Sequence, residues 1–316
     1  MKRKITIIGA GSVGSSIGYL LVAQSLASEI IFIDVNKEKA LGEAMDIYQS
    51  TPFLTPTVVR AGDYEDAKDS NVVIITSGVA RKPGQTRIDL AQTNVNILKS
   101  IAPKITEVAP NAIYIIVANP VDVLTYTFHQ ITNIPSNRII GSGTSLDTAR
   151  LKTKLSEIYK VSPMQVQADV LGEHGETSFI VWSMARIAGV PIEEYNDANT
   201  IKKGCDVTLD KNEVLEYVKK SGSVIISRKG ATYNGVAAAV AYICKALFSG
   251  IDSVLCLSVL LNGEYGIDDV CLSVPVVLGS EGIVSTLTPK LTDEEATLLQ
   301  NSAEAMKSVI KQVNCK

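Results

Sequence analysis

The sequence predicts an α/β protein in which a doubly wound parallel sheet is followed by a mixed α+β domain. In the first half, short Ile- and Val-rich runs alternate with helix-like segments, and near residue 143 this alternation gives way to long helices and a hairpin pattern. Nearly continuous β-branched runs are typical of strands buried on both faces, as in parallel sheets. Strand–helix alternation of this kind predicts right-handed crossovers.

The first half contains five predicted strands, bounded by Gly, Asn or Pro: 4–11, 29–35, 71–78, 112–120 and 138–144. Helix-like segments such as "VGSSIGYLLVAQSL" and "LAQTNVNILKSIAPKITEVA" lie between them. We therefore divide the chain into domains 1–142 and 143–316. Because no low-complexity linker separates them, we expect one compact unit with a cleft between its halves.

The second half opens with "SLDTARLKTKLSEIYKV", which predicts a long helix, and continues with "QVQADVLGEHG", which predicts a strand entering a turn. Residues 254–279 show the pattern of a β-hairpin with a Gly-containing turn. The last segment, "TDEEATLLQNSAEAMKSVIKQV", has apolar residues at helical spacing after a Thr or Asp cap.

The composition is that of an ordinary globular protein, with 46% apolar and 20% charged residues and a net charge of −3. No long Lys/Arg block is present, so nucleic acid and membrane surfaces are not expected partners. Five cysteines without CxxC spacing indicate reduced thiols in a cytoplasmic protein. The N-terminus superficially resembles a signal peptide, but glycines interrupt its apolar run and a second strand-like segment follows.

The segment "GAGSVG" contains Gly9, Gly11 and Gly14 in GxGxxG spacing, directly after a predicted strand and at the start of a helix. Asp34 follows twenty residues after Gly14, at the end of the next strand. This context is typical of a Rossmann-type dinucleotide site, where glycines let the backbone approach a pyrophosphate and the carboxylate binds ribose hydroxyls. Asp34 favours NAD over NADP. The alternative is a tight turn in an ordinary βαβ unit.

Hydride transfer from such a cofactor to a carbonyl requires a proton for the new alkoxide and a clamp for the substrate. The chain has only two histidines, His129 and His174. His174 lies in "VLGEHGETSF", whereas His129 lies on a helix-like stretch without acidic or arginine neighbours and is interpreted as structural. A single histidine is more often structural than catalytic, so its partners decide its role.

Five segments between residues 9 and 179, "GAGSVG", "RKPGQTRIDL", "VANPVD", "SGTSLDTARL" and "LGEHGETSF", resemble the L-lactate/malate dehydrogenase family, and the match runs in order over almost the whole chain. The body of the chain is most similar to bacterial L-lactate dehydrogenases. The resemblance implies an NAD-dependent oxidoreductase acting on the CH–OH group of a 2-hydroxy acid, with a place in glycolysis and fermentation. It also implies a homo-oligomer, either a tetramer or a dimer.

By the same resemblance, His174 is the proton donor and acceptor, and Asp147 holds its ring and raises its pKa; a helix cap is the alternative role for Asp147. Arg150, three residues later, matches the residue that pairs with the substrate carboxylate. Arg87 matches the arginine that polarises the ketone oxygen, on a loop expected to close over the substrate. A solvated loop arginine is the alternative.

The resemblance also implies contacts around these groups. Asn119 matches a residue that contacts substrate and nicotinamide, and Thr232 lines the opposite wall of the substrate pocket. The expected path of the cofactor further includes Val13, Thr76, Gly78, Val79, Val117 and Ser142. No His/Cys/Asp group has the spacing of metal ligands, which disfavours an NAD-using glycosidase. A non-catalytic NAD-binding module would have no use for the combination of His174, Asp147, Arg150 and Arg87.

The substrate depends on Arg81, at the position that resembles the specificity site of the family. Lactate-type members usually have Gln there and malate-type members Arg, and an unpaired Arg in a water-poor pocket is costly. Thr232 and the body of the chain are lactate-like, and Gln85 matches neither group. We rank pyruvate and lactate first. The alternative is malate dehydrogenase or dual specificity.

Many bacterial lactate dehydrogenases bind fructose 1,6-bisphosphate at a basic interface. The matching positions here are Lys152 and Gln167, where allosteric members tend to have Arg and His. With one expected cation in place of two, phosphate binding would be weak. The sequence therefore predicts little or no activation by the sugar bisphosphate.

Overall fold

The computed structural model describes residues 3–80, 84, 86–198, 208–313 and 315. In chain order its strands are β1 Lys4–Ile8, β2 Glu29–Ile33, β3 Val58–Ala61, β4 Val72–Ile75, β5 Ile113–Ile116, β6 Ile139–Gly141, β7 Val166–Gln167, β8 Val170–Leu171, β9 Phe179–Ile180, β10 Arg186–Ile187, β11 Val190–Pro191, β12 Ser253–Asn262, β13 Asp268–Gly279 and β14 Gly282–Thr286. Its helices are α1 Ser12–Ala23, α2 Lys37–Ser50, α3 Arg87–Val108, α4 Val121–Ile131, α5 Ser145–Tyr159, α6 Tyr195–Ala198, α7 Lys211–Lys229, α8 Asn234–Phe248 and α9 Asp293–Gln312.

The five strands predicted in the first half are all present, and each ends earlier than its apolar segment. The chain leaves the sheet after Ile8, Ile33, Ile75 and Ile116. The residues that follow form loops at the carboxyl edge of the sheet, which is where ligands bind in doubly wound folds. The sequence analysis did not predict β3, which pairs in parallel with β2 and contains only two consecutive apolar residues before Arg60.

The main sheet extends beyond the first half. Its strand order is β14-β13-β12-β6-β5-β4-β1-β2-β3, and β12 runs antiparallel to β6 through a pair formed by Gly141 and Ser258. A Cβ on Gly141 would lie 2.4 Å from Thr125 Oγ1 and 2.8 Å from Ser258 Cβ. The predicted parallel sheet is confirmed in the six strands β6-β5-β4-β1-β2-β3, and the antiparallel strands β12, β13 and β14 extend it into a larger mixed sheet. The close packing at Gly141 joins the two halves of the chain.

Of three elements predicted in the second half, one needs correction and two are confirmed. The segment "QVQADVLGEHG" does not form one strand, because β7 pairs with β10 whereas β8 pairs with β9 in a separate small sheet. The hairpin is confirmed as β12 and β13. The C-terminal helix α9 is also confirmed, and its cap is Thr292, which forms a capping box with Glu295.

The apolar core has two parts. The larger surrounds the main sheet and contains the fully buried side chains of Phe32, Tyr114 and Phe128. The smaller lies between α5, α7 and the short strands, with Leu151 and Val218 at its centre. Each fully buried side chain of this size contributes about 1.5–3 kcal/mol relative to exposure, so the second core firmly attaches α7 to α5.

The four described cysteines, Cys244, Cys256, Cys271 and Cys315, are buried free thiols, and Cys205 lies outside the described residues. Burial raises the pKa of the Cys244 thiol to about 12, so it stays protonated and unreactive near neutral pH. In the ranges that the structure describes, no helix has the length and apolar character needed to traverse a bilayer.

Candidate active site

A cleft of about 480 Å³ lies between the two halves, at the carboxyl edge of the parallel strands. It is lined by the loops after β4, β5 and β6, by the helices α5, α7 and α8, and by the turn after β8. Eleven of the residues predicted for cofactor, substrate or chemistry line it: Val13, Thr76, Gly78, Val79, Val117, Asn119, Ser142, Asp147, Arg150, His174 and Thr232. The fold thus gathers into one space residues that span about 220 positions of sequence.

The glycine turn, which contains Gly9, Gly11 and Gly14, adjoins this cleft, and each position favours glycine for a different structural reason. Gly9 has φ +107°, and a Cβ there would lie 2.6 Å from Thr76 Oγ1. A Cβ on Gly14 would lie 1.9 Å from the carbonyl oxygen of Gly9, so helix α1 packs directly on the turn. A Cβ on Gly11 would meet no described atom within 4 Å, and no described side chain caps the start of α1. Free N–H groups beside open space suit a pyrophosphate.

Asp34 is held against this turn by two backbone donors. Its Oδ2 accepts a hydrogen bond from the Ala10 N–H at 2.7 Å, and its Oδ1 accepts one from Asn36 at 2.8 Å. Both oxygens keep further lone pairs that can accept from hydroxyl groups. The carboxylate therefore stabilises the turn and also fits the ribose of a dinucleotide.

Asn94 connects two loops of the cofactor side, and sequence reasoning did not identify it. This buried side chain on α3 donates to the carbonyl oxygens of Val79, at 3.2 Å, and Asn119, at 2.6 Å. Its Oδ1 accepts from the Val79 N–H at 2.8 Å. An Asn within a polar helical stretch gives no sequence signal of this role, because only the tertiary fold places it between the loops.

His174 and Asp147 form the centre of the cleft. His174 Nδ1 lies 2.5 Å from Asp147 Oδ2, which leaves Nε2 for a ligand. Burial opposes a charged ring, but the Asp147 carboxylate outweighs this and raises the pKa of His174. Burial acts to raise the pKa of Asp147, and the charges of His174 and Arg150 nevertheless lower it. Asp147 is thus an ionised partner of the imidazole and not a helix cap.

Arg150 shares the same carboxylate. Its Nη1 lies 2.9 Å from Asp147 Oδ1, one helical turn away on α5, and its side chain is only 13% exposed. On the other side, α7 comes close to the guanidinium at Gly222, where a Cβ would lie 3.4 Å from Arg150 Nη2. Asp147 therefore orients the histidine with one oxygen and the arginine with the other, and the remaining guanidinium N–H groups are available for an anionic ligand.

The turn that carries His174 is held by two backbone hydrogen bonds, to groups that the sequence analysis did not identify. Asp122, buried at the start of α4, accepts from the His174 N–H at 2.8 Å and from Ser258 Oγ at 2.6 Å. Ser302 of α9 accepts from the Glu173 N–H at 2.7 Å. Burial raises the pKa of Asp122 to about 6 despite these hydrogen bonds.

Arg87 does not lie on a loop, contrary to the sequence-based expectation, but is the first residue of α3. The helix begins there because Thr86 and Asp89 form a capping box. Arg87 Nη2 contacts Glu176 Oε1 at 2.5 Å, and both side chains are more than 60% exposed. Arg87 therefore lies at the rim of the cleft. Arg81 and Gln85, on which the choice of substrate depends, lie outside the described residues.

The remaining expectations concern His129 and the sugar bisphosphate positions. The buried Nε2 of His129 has no hydrogen-bond partner in the described part of the chain, and burial lowers the pKa of His129 to about 4. Lys152 lies on α5 and Gln167 is an exposed residue of β7. Among the described residues, no group of three His, Cys, Asp or Glu side chains could hold a metal ion.

Family models, curated relatives and solved structures all indicate the same family for this chain. The family model described as "lactate/malate dehydrogenase, NAD binding domain" matches residues 3–141, and the model described as "lactate/malate dehydrogenase, alpha/beta C-terminal domain" matches residues 144–316. The L-lactate dehydrogenase of Acetivibrio thermocellus is 44% identical over 309 residues, which is 98% of this chain and 96% of the relative. L-lactate dehydrogenase 1 of Clostridium acetobutylicum is 44% identical over 310 residues and covers 98% of each chain. The crystal structure of a minor L-lactate dehydrogenase from Enterococcus mundtii superposes with a TM-score of 0.93 at 36% identity, covering 100% of this chain and 99% of that one.

Proposed function

Because the chain belongs to the lactate/malate dehydrogenase family, whose members are NAD-dependent oxidoreductases, we propose that it interconverts pyruvate and L-lactate. The observation that carries this proposal is the shared carboxylate of Asp147, which orients His174 and Arg150 in one cleft with the cofactor-side loops. The similarity of the whole chain to L-lactate dehydrogenases at 40–44% identity supports the choice of substrate.

We assign residues 1–142 to cofactor binding and residues 143–316 to catalysis. When bound, NADH supplies the hydride. Gly9, Gly11 and Gly14 receive the pyrophosphate in the open space at the start of α1, because a side chain at any of them would collide with the turn or fill that space. Asp34 accepts from ribose hydroxyls and repels a 2′-phosphate, which selects NAD over NADP.

The substrate carboxylate binds the N–H groups of Arg150 that Asp147 leaves free. In this orientation the ketone oxygen faces His174 Nε2, which donates its proton as the carbonyl carbon is reduced. Asp147 stabilises the imidazolium before the transfer and keeps the neutral ring in one tautomer afterwards. In the direction of lactate oxidation, the same neutral nitrogen accepts the hydroxyl proton.

Arg87 has to leave Glu176 to polarise the ketone oxygen. An ion pair between such exposed side chains contributes only about 0–1 kcal/mol, so a bound ketone and carboxylate can compete with it. We propose that the Glu176 pair holds Arg87 at the rim until substrate enters. Asn119 and Thr232, which both line the cleft, then contact the substrate.

Oxaloacetate is the second candidate substrate, because Arg81 matches the malate-type residue at the specificity position. Relative kcat/KM for pyruvate and oxaloacetate, measured with NADH and no added metal, tests both proposals. We expect pyruvate to be preferred. Activity on neither keto acid would contradict the proposed function as a whole.

The Arg81→Gln variant sharpens this choice. Removing the guanidinium should lower kcat/KM for oxaloacetate by about 10-fold or more, since a charged hydrogen bond contributes roughly 1.5–3 kcal/mol. The kcat/KM for pyruvate should stay unchanged or increase. An equal decrease in kcat/KM for both keto acids would show that Arg81 does not bind the second carboxylate of oxaloacetate.

We further propose a cytoplasmic homo-oligomer that reoxidises NADH in glycolysis and fermentation. Exposed apolar side chains of Tyr19, Met45, Tyr48 and Tyr242 on α1, α2 and α8 support association. Light scattering should give a dimer or tetramer mass.

The apparent KM for pyruvate should change little on adding fructose 1,6-bisphosphate, because Lys152 and Gln167 offer one cation. A large decrease would contradict this expectation.

A further inference from the structure

We propose that Asp122 is a positioning residue that fixes the His174 turn to the first half of the chain and places a second buried negative charge beside the imidazole. Its consequence for catalysis rests on the proposed function. The positioning role itself rests only on the contacts between Asp122, His174 and Ser258.

Asp122 lies at the junction of the two halves. It is the second residue of α4, three positions after Asn119, and is only 2% exposed. One oxygen accepts from the His174 backbone N–H, and the other accepts from Ser258 Oγ. Ser258 is also the residue of β12 that pairs with Gly141 of β6. The carboxylate therefore joins the cofactor side, the sheet and the proton donor through two hydrogen bonds.

Both partners donate, so this arrangement suits an ionised carboxylate, and the N-terminal end of α4 further favours negative charge. Among the described residues, the charged groups that influence the imidazole most are two carboxylates, Asp122 and Asp147, and one guanidinium, Arg150. A protonated His174 makes this buried group neutral, whereas a neutral ring leaves one uncompensated negative charge. Asp122 consequently favours the imidazolium, the form that donates a proton to a ketone.

The other titratable groups near Asp122 do not accept from the His174 backbone. Glu173 lies on the same turn as His174, and its carboxylate accepts from the Thr177 N–H and hydroxyl groups instead. Cys271 faces it from β13, and burial raises the pKa of that thiol well above its usual range, so it carries no charge. Asp122 is thus the ionised group that contacts the backbone of His174.

The Asp122→Asn variant separates charge from shape. An amide oxygen still accepts from the His174 N–H, and the hydroxyl of Ser258 rotates to accept from the amide nitrogen. Because the chain has only two histidines, NMR titration of the imidazole carbons resolves both, and a His129→Asn variant assigns them. We expect the His174 midpoint to fall by about 1 pH unit in Asp122→Asn.

The matched control is Ser302→Ala, which releases the same turn from α9 without changing any charge. Its His174 midpoint should equal that of the parent. An unchanged midpoint in Asp122→Asn, or an equal fall in Ser302→Ala, would overturn the proposal. In kinetics, the pH above which kcat/KM for keto acid reduction declines should move down with the NMR midpoint in Asp122→Asn alone.

A reciprocal measurement covers the case in which Asp122→Asn does not fold. In a His174→Asn variant, carboxyl ¹³C titration should place the Asp122 midpoint about 1 unit higher than in the parent, because the neighbouring cation is lost. An unchanged Asp122 midpoint would overturn the proposal. If the midpoints shift while the parent reduces no 2-oxo acid, the proposed function fails and the role of Asp122 stands.

Discussion

The two histidines of this chain lie in opposite environments. His174 lines the cleft, is a quarter exposed and contacts the Asp147 carboxylate, and its pKa is raised. His129 lies in the last turn of α4, where its Nε2 is buried with no partner among the residues that the structure describes, and its pKa falls to about 4. Burial opposes the charged ring in both places. The difference is the partner: a carboxylate reverses the effect of burial, and without one the ring stays neutral.

This comparison shows how the fold makes one of two identical side chains suitable for proton transfer. A neutral, enclosed imidazole such as that of His129 cannot donate a proton near neutral pH. The imidazole of His174 contacts the Asp147 carboxylate, and its raised pKa favours the protonated form that can donate. The predictions below test whether this difference has the consequences that we assign to it.

The largest effect is expected for His174→Asn. Loss of the proton donor should lower kcat for pyruvate reduction by about 10²–10⁴-fold, the range of general acid catalysis, while NADH still binds. The matched control is His129→Asn, which should change kcat only a few-fold. Comparable losses in the two variants would remove the distinction between the histidines.

Asp147→Asn is expected to have the next largest effect. The amide keeps a hydrogen bond to the ring but removes the charge that outweighs burial, so the pKa of His174 should fall by about 1–3 units. Reduction of pyruvate should then decline at a correspondingly lower pH. The pH profile of kcat/KM in parent and variant measures this shift. Coincident profiles would show that the charge of Asp147 does not raise the pKa of His174.

The smallest effect concerns stability at low pH. His129 has a folded-state pKa near 4 and an unfolded value near 6.5, so the unfolded chain binds the extra proton first. The free energy of unfolding should therefore decrease as the pH falls from about 6.5 to 4, by up to roughly 3 kcal/mol from this residue. In His129→Leu this part of the decrease should be absent. Urea unfolding of parent and variant at pH 7 and 4.5 gives the comparison, and parallel losses would contradict it.

Much of the cofactor side could be predicted from the sequence. The Gly9, Gly11 and Gly14 turn, the strands on either side of it and Asp34 are encoded within about thirty residues, and the contact of Asp34 with the Ala10 N–H spans only 24. The same holds for the Thr292 cap of α9 and for the hairpin of β12 and β13. In each case local turn chemistry or hydrophobic periodicity is sufficient, because the interacting residues are close in sequence.

The catalytic side was only partly predictable. The motifs identified His174, Asp147 and Arg150 through their resemblance to a family, and the structure then brought the three together. Asn94 and Asp122 escaped notice, since each resembles an ordinary polar residue of a helix. The expectation that Arg87 lies on a loop was wrong, because the capping residues Thr86 and Asp89 extend α3 to include it.

The sequence by itself determined the alternation of strands and helices, the glycine turn and the residue types of the proton donor and its partner. The tertiary structure decided which histidine gains a carboxylate and which remains unpaired. The physical reason is the sequence separation of the contacts: Asp122 bonds to His174, 52 positions away, and to Ser258, 136 positions away. Such contacts depend on how the sheet closes at Gly141 and Ser258, and no local pattern of residues specifies that closure.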